Sequence, residues 1–420
     1  MTIHELTEFP GTDAAPSKRV VILGAGYAGL RCAQTLDKYL GEPDATEIVL
    51  IDRYSYHQII TELPVAAGGR LGSGDVAVPL ADLLKKSKVR FEQAEIQTID
   101  LRGKRVITTR GDVAFGVLVI AVGSVTAFYG VPGLVEHALT LKSVEDAEVI
   151  NARVRQSMEA AVHESDPAAR AAMLSFLIGG AGLTGVELAG ELAEFLPTLA
   201  GELDLPPTAA RVTLIEAAPS VLPSMPPRLQ AKGAGILTEL GIRLVLGSKV
   251  IEADSEGVRL ASGDRLVGRT LVWSGGIMAP PILAQSGIPT VRNGQIPVDR
   301  FLRVSGFPDV YVVGDSARIQ DESGHGIVEP TAQVAVKQAE AAAYNIVAGW
   351  EGWKPRPYSP SDKGQAISLG SSSGVGSIFH VSLAGRKVIA LKRLIEEGYR
   401  YSVTGRVRLT RKQDPVESAK

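Results

Sequence analysis

The chain has 420 residues, a formal net charge of -2 and a single cysteine. This length exceeds the size at which one hydrophobic core keeps growing, so two or three domains are expected. Hydrophobic residues make up 45%, aromatic residues only 5%, and glycine is frequent, which is typical of buried parallel strands joined by tight turns. The near-neutral charge gives no field that would attract nucleic acid, and one thiol forms neither an internal disulfide nor a thiolate metal cluster. The composition predicts an α/β protein with no nucleic-acid partner.

The N-terminal residues carry acidic side chains and no apolar segment. We expect residues 1–18 to form a mobile arm and not a signal peptide. The most apolar stretch, residues 171–186, is interrupted by glycines and predicts a strand, a turn and a helix start. It is too polar and broken to match the apolar run of about 18 residues that spans a bilayer. We expect no membrane-spanning helix.

A glycine-rich motif follows the β-branched run 20–23 and precedes a helical pattern that reaches Leu40. A strand pattern at 47–51 then ends at an acidic residue. Such glycines let the backbone approach a pyrophosphate at a helix N-terminus, and the acid can hold ribose hydroxyls. A close-packed turn without ligand is the alternative, but strand, helix and acid together predict a dinucleotide site. Its candidate residues are Gly24, Ala25, Gly26, Ala28, Gly29, Asp52 and Arg53.

The chain repeats this plan, with a strand predicted at 174–178, a helix at 186–195 and a strand at 212–215. Two fingerprints predict two dinucleotides. A carboxylate at Glu216 can accept ribose hydroxyls but would repel a 2′-phosphate, and residues 217–221 offer no cation to bind one. NADH is therefore expected in preference to NADPH. The candidate residues are Gly180, Gly182, Thr184, Gly185 and Glu216.

Later segments complete the predicted elements. Residues 331–348 are rich in alanine and free of Gly and Pro, which predicts a helix. After the Pro-rich break at 353–358, Gly-Ser turns and alternating patterns predict a separate C-terminal unit. Further strands are predicted at 117–121, 243–246, 271–273 and 310–313.

Several segments taken together resemble the type II NADH:quinone oxidoreductases, which are single-chain, non-proton-pumping flavoprotein dehydrogenases. The resemblance extends from about residue 19 to 340 and implies FAD on the first glycine fold and NADH on the second. The matching segments are residues 21–29, Tyr56–His57, Thr61–Leu63, 121–124, 179–187, 272–276, 310–315 and 330–333.

The resemblance implies two Rossmann-like dinucleotide-binding domains and a C-terminal unit that faces a membrane or a second subunit. The expected FAD domain is discontinuous, at residues 19–145 and 295–350. The expected NADH domain is residues 146–294, and the C-terminal unit with its basic tail is 351–420. Further residues implied to contact FAD are Gly123, Gly314, Asp315 and Ala332, and those implied to contact NADH are Gly275 and Gly276.

The resemblance also implies that Glu187 lies near the nicotinamide. Its position on the first helical turn would stabilise an ionised carboxylate, and service to the helix dipole alone is the alternative. Hydride transfer mainly requires nicotinamide C4 and flavin N5 to be held at roughly 3 to 3.5 Å. Quinone reduction consumes protons as well, so Glu187, Gln333 and Lys337 are the polar catalytic candidates.

Lys337 departs from the family pattern. Members usually carry Ala-Gln-x-Ala-x-Gln over the quinone pocket, and this chain places lysine at the last position. An ammonium there could donate to a quinone carbonyl, but it would also favour a more polar acceptor. In the alternative, Lys337 points to solvent and Gln338 takes its place. The acceptor therefore stays open between a quinone and another small molecule or protein, and a slow-turnover redox sensor is a third hypothesis.

Basic and apolar residues are mixed in the tail at 386–412. Nine Lys or Arg stand against two Glu, a local charge of +7. This mixture suits an interfacial anchor on anionic lipid, with a solvated tail or a homodimer contact as alternatives. A basic RNA-binding stripe is a further alternative, but no accompanying fold signal supports it. Because quinones reside in the bilayer, we expect peripheral attachment to the cytoplasmic face of the cell membrane. The histidines lack metal-ligand spacing, so no metal site is expected and His57 should pack near the flavin domain.

Overall fold

The computed structural model describes residues 18–40, 46–320, 326–360, 364–379 and 381–405. The predicted N-terminal arm lies outside these ranges except for Lys18. The end of the basic tail, from residue 406 onward, also lies outside them.

The strands alternate with helices along most of the chain, as expected of an α/β protein. In chain order they are β1 (Arg19–Leu23), β2 (Glu47–Asp52), β3 (Tyr56–Gln58), β4 (Ala77–Pro79), β5 (Arg90–Gln93), β6 (Ile96–Asp100), β7 (Arg105–Thr108), β8 (Gly111–Ala114), β9 (Val117–Ile120), β10 (Val125–Thr126), β11 (Ala138–Leu139), β12 (Ser175–Gly179), β13 (Arg211–Ile215), β14 (Arg243–Val245), β15 (Val250–Asp254), β16 (Gly257–Leu260), β17 (Arg265–Val267), β18 (Thr270–Trp273), β19 (Ile277–Met278), β20 (Ile296–Pro297), β21 (Arg303–Val304), β22 (Phe307–Val312), β23 (Ala317–Arg318), β24 (Gly364–Leu369), β25 (Ser373–Ile378) and β26 (Val381–Ala384).

The helices include four long ones and several single turns. They are α1 (Tyr27–Tyr39), α2 (Leu63–Ala67), α3 (Ser73–Val76), α4 (Leu80–Leu83), α5 (Leu134–His137), α6 (Val144–His163), α7 (Pro167–Met173), α8 (Leu183–Glu202), α9 (Pro227–Glu239), α10 (Ile282–Gln285), α11 (Ala332–Glu351) and α12 (Arg386–Thr404), with 3-10 turns at Ile60–Glu62 and Gly314–Ser316. Within the described ranges, no helix is long and apolar enough to cross a membrane.

The first sheet has six strands in the order β21-β22-β9-β1-β2-β5. All its neighbours pair in parallel except β21, which lies antiparallel at the edge. Residues Val20–Leu23 of β1 are fully buried, which explains their unbroken apolar sequence. Helix α11, predicted at 331–348, is confirmed and packs against α1. The first sheet therefore combines strands from two distant parts of the chain, residues 19–120 and residues 303–312, in one dinucleotide-binding fold.

The second sheet has five parallel strands in the order β11-β18-β12-β13-β14. Helix α8 follows β12 and runs from Leu183 to Glu202, so the prediction of a helix at 186–195 was too short at both ends. Its first turn is formed by the glycine motif itself, which sequence periodicity does not count as helix. The two sheets confirm the predicted pair of Rossmann-like folds.

The C-terminal unit is an antiparallel sheet, β24-β25-β26, covered by α12. Strand β24 packs on α8, which belongs to the second fold. The far end of α12 reaches α1 of the first fold, where Arg31 Nη2 donates to Ser402 Oγ at 2.7 Å. The unit therefore bridges both dinucleotide-binding folds.

Candidate functional site

The first glycine loop is shaped by close backbone contacts. Gly24 has a φ of +96°, and a Cβ there would lie 2.4 Å from the Ala121 carbonyl oxygen. A Cβ at Gly29 would lie 1.7 Å from the Gly24 oxygen. Both positions therefore require glycine. At Gly26, by contrast, a Cβ would meet no described atom within 4 Å.

Helix α1 begins directly after this open position, with Gly26 as its N-cap residue. Gly26 provides no side-chain cap, and the first turn has no acidic residue. The unpaired N–H groups and the positive end of the helix dipole are ready to receive an anion. The loop thus fits the pyrophosphate of a dinucleotide.

Asp52 closes the first loop at the end of β2. Its Oδ2 accepts from the Ala25 N–H at 2.6 Å, and Oδ1 accepts from the Tyr54 N–H at 2.8 Å. Burial raises the pKa of Asp52, while the two backbone donors act to lower it. The neighbouring Arg53 is exposed, with its guanidinium 4.8 Å from the Tyr54 ring centroid.

The later motifs meet the first loop. A Cβ at Gly314 would lie 3.3 Å from the Ala28 Cβ, so the turn after β22 adjoins the start of α1. Ser124 Oγ donates to Asp315 Oδ2 at 2.6 Å, and the Gly314 N–H donates to Gln338 Oε1 at 2.6 Å. The predicted residues that follow β9 and β22 are therefore held together by side-chain hydrogen bonds.

Lys142 is a polar member of this cluster that the sequence reasoning missed. Its Nζ donates to Ser124 Oγ at 2.9 Å, which extends the chain of hydrogen bonds to Asp315. Burial lowers the pKa of Lys142, opposed by the carboxylates of Asp315 and Asp146. No sequence pattern marks this lysine, because it lies in the short connection before α6.

The second loop repeats the geometry of the first. Gly180 has a φ of +102°, and a Cβ at Gly185 would lie 1.9 Å from the Gly180 oxygen. Gly182 is open, since a Cβ there would meet no described atom within 4 Å, and it is the N-cap residue of α8, without a side-chain cap. Glu216 Oε2 accepts from the Ala181 N–H at 2.7 Å. This loop therefore fits a second dinucleotide pyrophosphate, with Thr184 exposed in the first turn beside it.

The glycines after β18 stand at tightly packed positions. A Cβ at Gly275 would lie 2.4 Å from the Trp273 ring, and one at Gly276 would lie 2.0 Å from Tyr129 Oη. Trp273 Nε1 donates to the Ala127 oxygen at 2.9 Å, which ties the second fold to the segment after β9. These contacts fix the junction between the two folds.

A cavity of about 230 Å³ lies at this junction. Ser124 and Asp315 of the first fold line it, together with Met278 from the segment that follows the second sheet. Gln295 also lines the cavity, and its Nε2 donates to the Asp315 oxygen at 2.9 Å. The cavity therefore contains Asp315 of the predicted FAD site and borders the segment at 277–279 that follows the second sheet.

Glu187 lies in the second turn of α8 and not in the first, because the helix begins at Leu183. Its Oε1 accepts from Lys392 Nζ at 2.5 Å and from the Ser368 N–H at 3.0 Å. The carboxylate therefore contacts the C-terminal unit, and its approach to the nicotinamide stays a prediction. The missed partner is Lys392, which the sequence grouped with the basic tail.

Lys337 lies on the exposed side of α11. Its Nζ pairs with Glu340 at 2.7 Å, contrary to the expectation that the ammonium faces an acceptor. Gln338, the next residue, is buried and holds Gly314. Ala332 and Gln333 begin the helix and are half-buried.

Ionisable groups fill the interface beneath α12. Glu396 lies 3.6 Å from Lys392, and burial raises the pKa of Glu396 to about 7. Burial alone would lower the pKa of Lys392, but Glu187 and Glu396 raise it above its ordinary value. Arg400 Nη2 pairs with Glu62 at 2.9 Å, and both side chains are buried. Among the described residues, no group of His, Cys, Asp or Glu could hold a metal ion.

The two glycine folds and their shared cavity define a class of two-dinucleotide oxidoreductases. The family model of the pyridine nucleotide-disulphide oxidoreductases matches residues 18–342, and the chain belongs to this family. Unlike a dithiol enzyme, it has only Cys32, whose pKa burial raises to about 12.

Within that family the chain belongs to the type II NADH:quinone oxidoreductases. A Staphylococcus aureus (strain MSSA476) relative of that name is 32% identical over 397 residues, 93% of this chain and 97% of the relative.

Solved structures share the fold. NDH2 from Plasmodium falciparum in complex with NADH has a TM-score of 0.83 at 18% identity, covering 93% of this chain and 96% of that one. The sulfide:quinone oxidoreductase from Aquifex aeolicus has a TM-score of 0.76 at 19% identity and covers 92% of both chains. At these identities the likeness concerns the fold alone.

Proposed function

We propose that this chain is an FAD-dependent oxidoreductase that takes electrons from NADH and delivers them to a quinone without pumping protons. FAD, when bound, supplies the chemistry that links hydride donation to two-electron reduction of the acceptor. The observation that carries the proposal is the repeated loop: two uncapped helix N-termini, at Gly26 and Gly182, each have open space and a carboxylate at the next strand end.

The first fold, at residues 19–145 and 295–350, is proposed to hold FAD. The N-terminus of α1 would receive the pyrophosphate, and Asp52 would exchange its backbone contacts for ribose hydroxyls. Lys142 would keep Ser124 and Asp315 in place beside the flavin chain. The proposed contact residues are Gly24, Ala25, Gly26, Ala28, Gly29, Asp52, Arg53, Gly123, Gly314, Asp315 and Ala332.

The second fold, at residues 146–294, is proposed to hold NADH. Glu216 ends β13 beside the α8 N-terminus, where its carboxylate would accept ribose hydroxyls and repel a 2′-phosphate. The shared cavity would let the nicotinamide approach the flavin. The proposed contact residues are Gly180, Gly182, Thr184, Gly185, Glu216, Gly275 and Gly276.

Reduction of a quinone also requires protons at the acceptor. Lys392 Nζ, which carries protons, lies 2.5 Å from Glu187 Oε1, and each side chain is only 11% exposed. We assign this pair to proton delivery and Gln333, at the start of α11, to hydrogen bonding with the acceptor. Lys337 has no part in this proposal because its ammonium is engaged with Glu340.

Anaerobic stopped-flow measurement tests the two halves separately. NADH should bleach the flavin absorbance of the purified protein, and a short-chain quinone should restore it. The control is Gly185→Ala, in which the new Cβ would clash with the Gly180 oxygen, so the flavin should stay bound and be reduced slowly. If NADH bleaches the flavin quickly but quinone does not reoxidise it, NADH is the donor and the acceptor is a molecule other than quinone. Absence of bleaching in the unmodified protein would refute the donor half.

The C-terminal unit is proposed to attach to the cytoplasmic face of the membrane. Its exposed apolar side chains stand beside exposed cations, the composition of an interfacial anchor on anionic lipid. The apolar ones are Phe379, Val381, Leu394, Ile395 and Tyr401, and the cations are Arg386, Lys387 and Arg393.

Vesicle sedimentation tests this attachment. Binding should require anionic lipid, fall with salt, and be lost in Leu394→Gln/Ile395→Gln, whose side chains are 70% and 51% exposed. The control is Val149→Gln, which removes a 50% exposed apolar residue from α6. A different outcome would assign this surface to a homodimer: the unmodified protein fails to bind vesicles and is a dimer by light scattering, and the double variant is a monomer.

A further inference from the structure

His57 joins the C-terminal helix to the first glycine loop. The ring is fully buried, and Nδ1 lies 2.8 Å from the Ala25 carbonyl oxygen. A carbonyl can only accept, so Nδ1 must carry a proton and donate. Burial lowers the pKa of His57 to about 4, which keeps the ring neutral and leaves Nε2 as an acceptor. Nε2 therefore accepts from the Tyr399 hydroxyl at 2.9 Å.

Tyr399 also contacts the start of α1 directly, through its ring. It stacks on Tyr27 with centroids 4.4 Å apart and an interplanar angle of 26°. Tyr27 is the first residue of α1, and its hydroxyl lies 3.2 Å from Thr61 Oγ1. One side chain of α12 is thus linked to both neighbours of Gly26, to Tyr27 by direct stacking and to Ala25 through His57.

Other contacts along the same helix fix its distance from α1. Arg31 Nη2 donates to Ser402 Oγ at 2.7 Å, and Gln34 Nε2 donates to the Val403 oxygen at 3.4 Å. These bonds hold α12 from the helix side, while Tyr399 holds it from the loop side. The last turns of α12 are therefore a part of the wall behind the cradle.

We propose that α12 acts as a clasp on the FAD loop, with Tyr399 as a positioning residue that acts through His57. The His57 ring fixes the direction of the Ala25 carbonyl, and with it the neighbouring N–H groups that would face the pyrophosphate. FAD binding and docking of α12 then stabilise each other, because coupling between two sites is reciprocal. The inference rests on the proposed function only in placing FAD on the first fold; it is independent of NADH and quinone.

The test compares Tyr399→Phe with Tyr401→Phe in the full-length holoenzyme. Tyr399→Phe keeps the ring that stacks on Tyr27 and removes only the hydroxyl. Tyr401→Phe makes the same change two residues away, on a side chain that is 58% exposed. Flavin release on dilution, followed by the recovery of free FAD fluorescence, gives the dissociation constant. One hydrogen bond to a neutral partner corresponds to about fivefold weaker FAD binding in Tyr399→Phe, and Tyr401→Phe should match the unmodified protein.

Amide hydrogen exchange of residues 386–404 distinguishes the clasp from a purely structural role of Tyr399. If the role were purely structural, FAD would not change the exchange rate of α12. Adding FAD to deflavinated protein should slow exchange across α12 in the unmodified chain, and it should do so less in Tyr399→Phe. If Tyr399→Phe retains FAD as the unmodified protein does, or if FAD leaves α12 exchange unchanged, the clasp is refuted. If the unmodified protein binds no FAD, both the clasp and the proposed function fail. If the unmodified protein retains FAD and FAD slows exchange in α12, but quinone does not reoxidise the reduced flavin, only the proposed acceptor is overturned.

Discussion

The Lys392–Glu187 pair permits a quantitative test of how α12 is held. Nζ and Oε1 are 2.5 Å apart, and each side chain is 11% exposed. Lys392→Met removes the cation and leaves the Glu187 carboxylate buried, with Ser368 as its remaining described donor. Breaking a buried ion pair by removing one partner typically costs about 3 to 5 kcal/mol, because the other charge stays uncompensated. Docking of α12 should weaken by about that amount.

The assay is hydrogen exchange over residues 386–404 in the holoenzyme, because global unfolding of a multidomain flavoprotein is not two-state. Exchange in α12 should accelerate by at least about a hundredfold in Lys392→Met. This factor corresponds to the lower end of the expected loss of about 3 to 5 kcal/mol. The matched control is Lys387→Met, which removes an exposed ammonium from the same helix.

A double-mutant cycle separates the pair from the burial of each charge. Glu187→Gln/Lys392→Met removes both charges, so its loss of protection should be smaller than the sum of the two single losses. Exchange in Lys392→Met that equals exchange in Lys387→Met would refute the reasoning, since the pair would then contribute nothing to docking.

Two buried titrations and the coenzyme choice give further measurements. The pKa of His57 is lowered to about 4 from 6.5, so stability is full above pH 6.5 and falls as acid approaches pH 4, by up to roughly 3 kcal/mol. The pKa of Glu396 is raised to about 7 from 4.5, so its contribution is present below pH 4.5 and is lost as the pH rises through 7; Glu396→Gln should therefore raise Tm at pH 8. Glu216→Ser/Ala217→Arg should raise kcat/KM for NADPH relative to NADH by about tenfold or more, because it replaces repulsion of the 2′-phosphate with attraction.

Each of these measurements has its own control. His57→Gln should flatten the change of Tm between pH 6.5 and 4, and an unchanged slope would assign it to other groups. Glu397→Gln makes the same charge change next to Glu396, so an equal gain at pH 8 would show a general charge effect. Equal use of NADPH and NADH by the unmodified protein would contradict the role given to Glu216.

The glycine folds could be predicted from sequence because their constraints are local. Gly24 and Gly180 need a positive φ. A Cβ at Gly29 or Gly185 would clash with the carbonyl oxygen of Gly24 or Gly180, which lies only five residues earlier in the chain. Buried parallel strands likewise appear as unbroken apolar runs. Helix α8 was predicted too short at both ends, and its start was placed too late because the glycine motif is itself helical from Leu183.

The direction of individual side chains could not be predicted in the same way. Glu187 meets Lys392 across 205 positions of sequence, and no spacing rule links them. On α11, Lys337 and Gln338 are adjacent, and a rotation of one residue decides which of them faces the core. The half-buried Lys142 carries no motif, and the contacts of His57 and Lys142 could not be predicted, since their partners are a carbonyl and a hydroxyl from other segments of the chain.

The order of strands in the first sheet also governs the order in which the chain can fold during synthesis. The neighbour of β9 on one side, β22, spans Phe307–Val312, whereas all strands of the second sheet end by Trp273. The inserted fold can therefore be complete while β9 still has an open edge, and such an edge is a template for aggregation. A ribosome that stalls between residues 273 and 307 would hold a finished nucleotide fold next to an unfinished one.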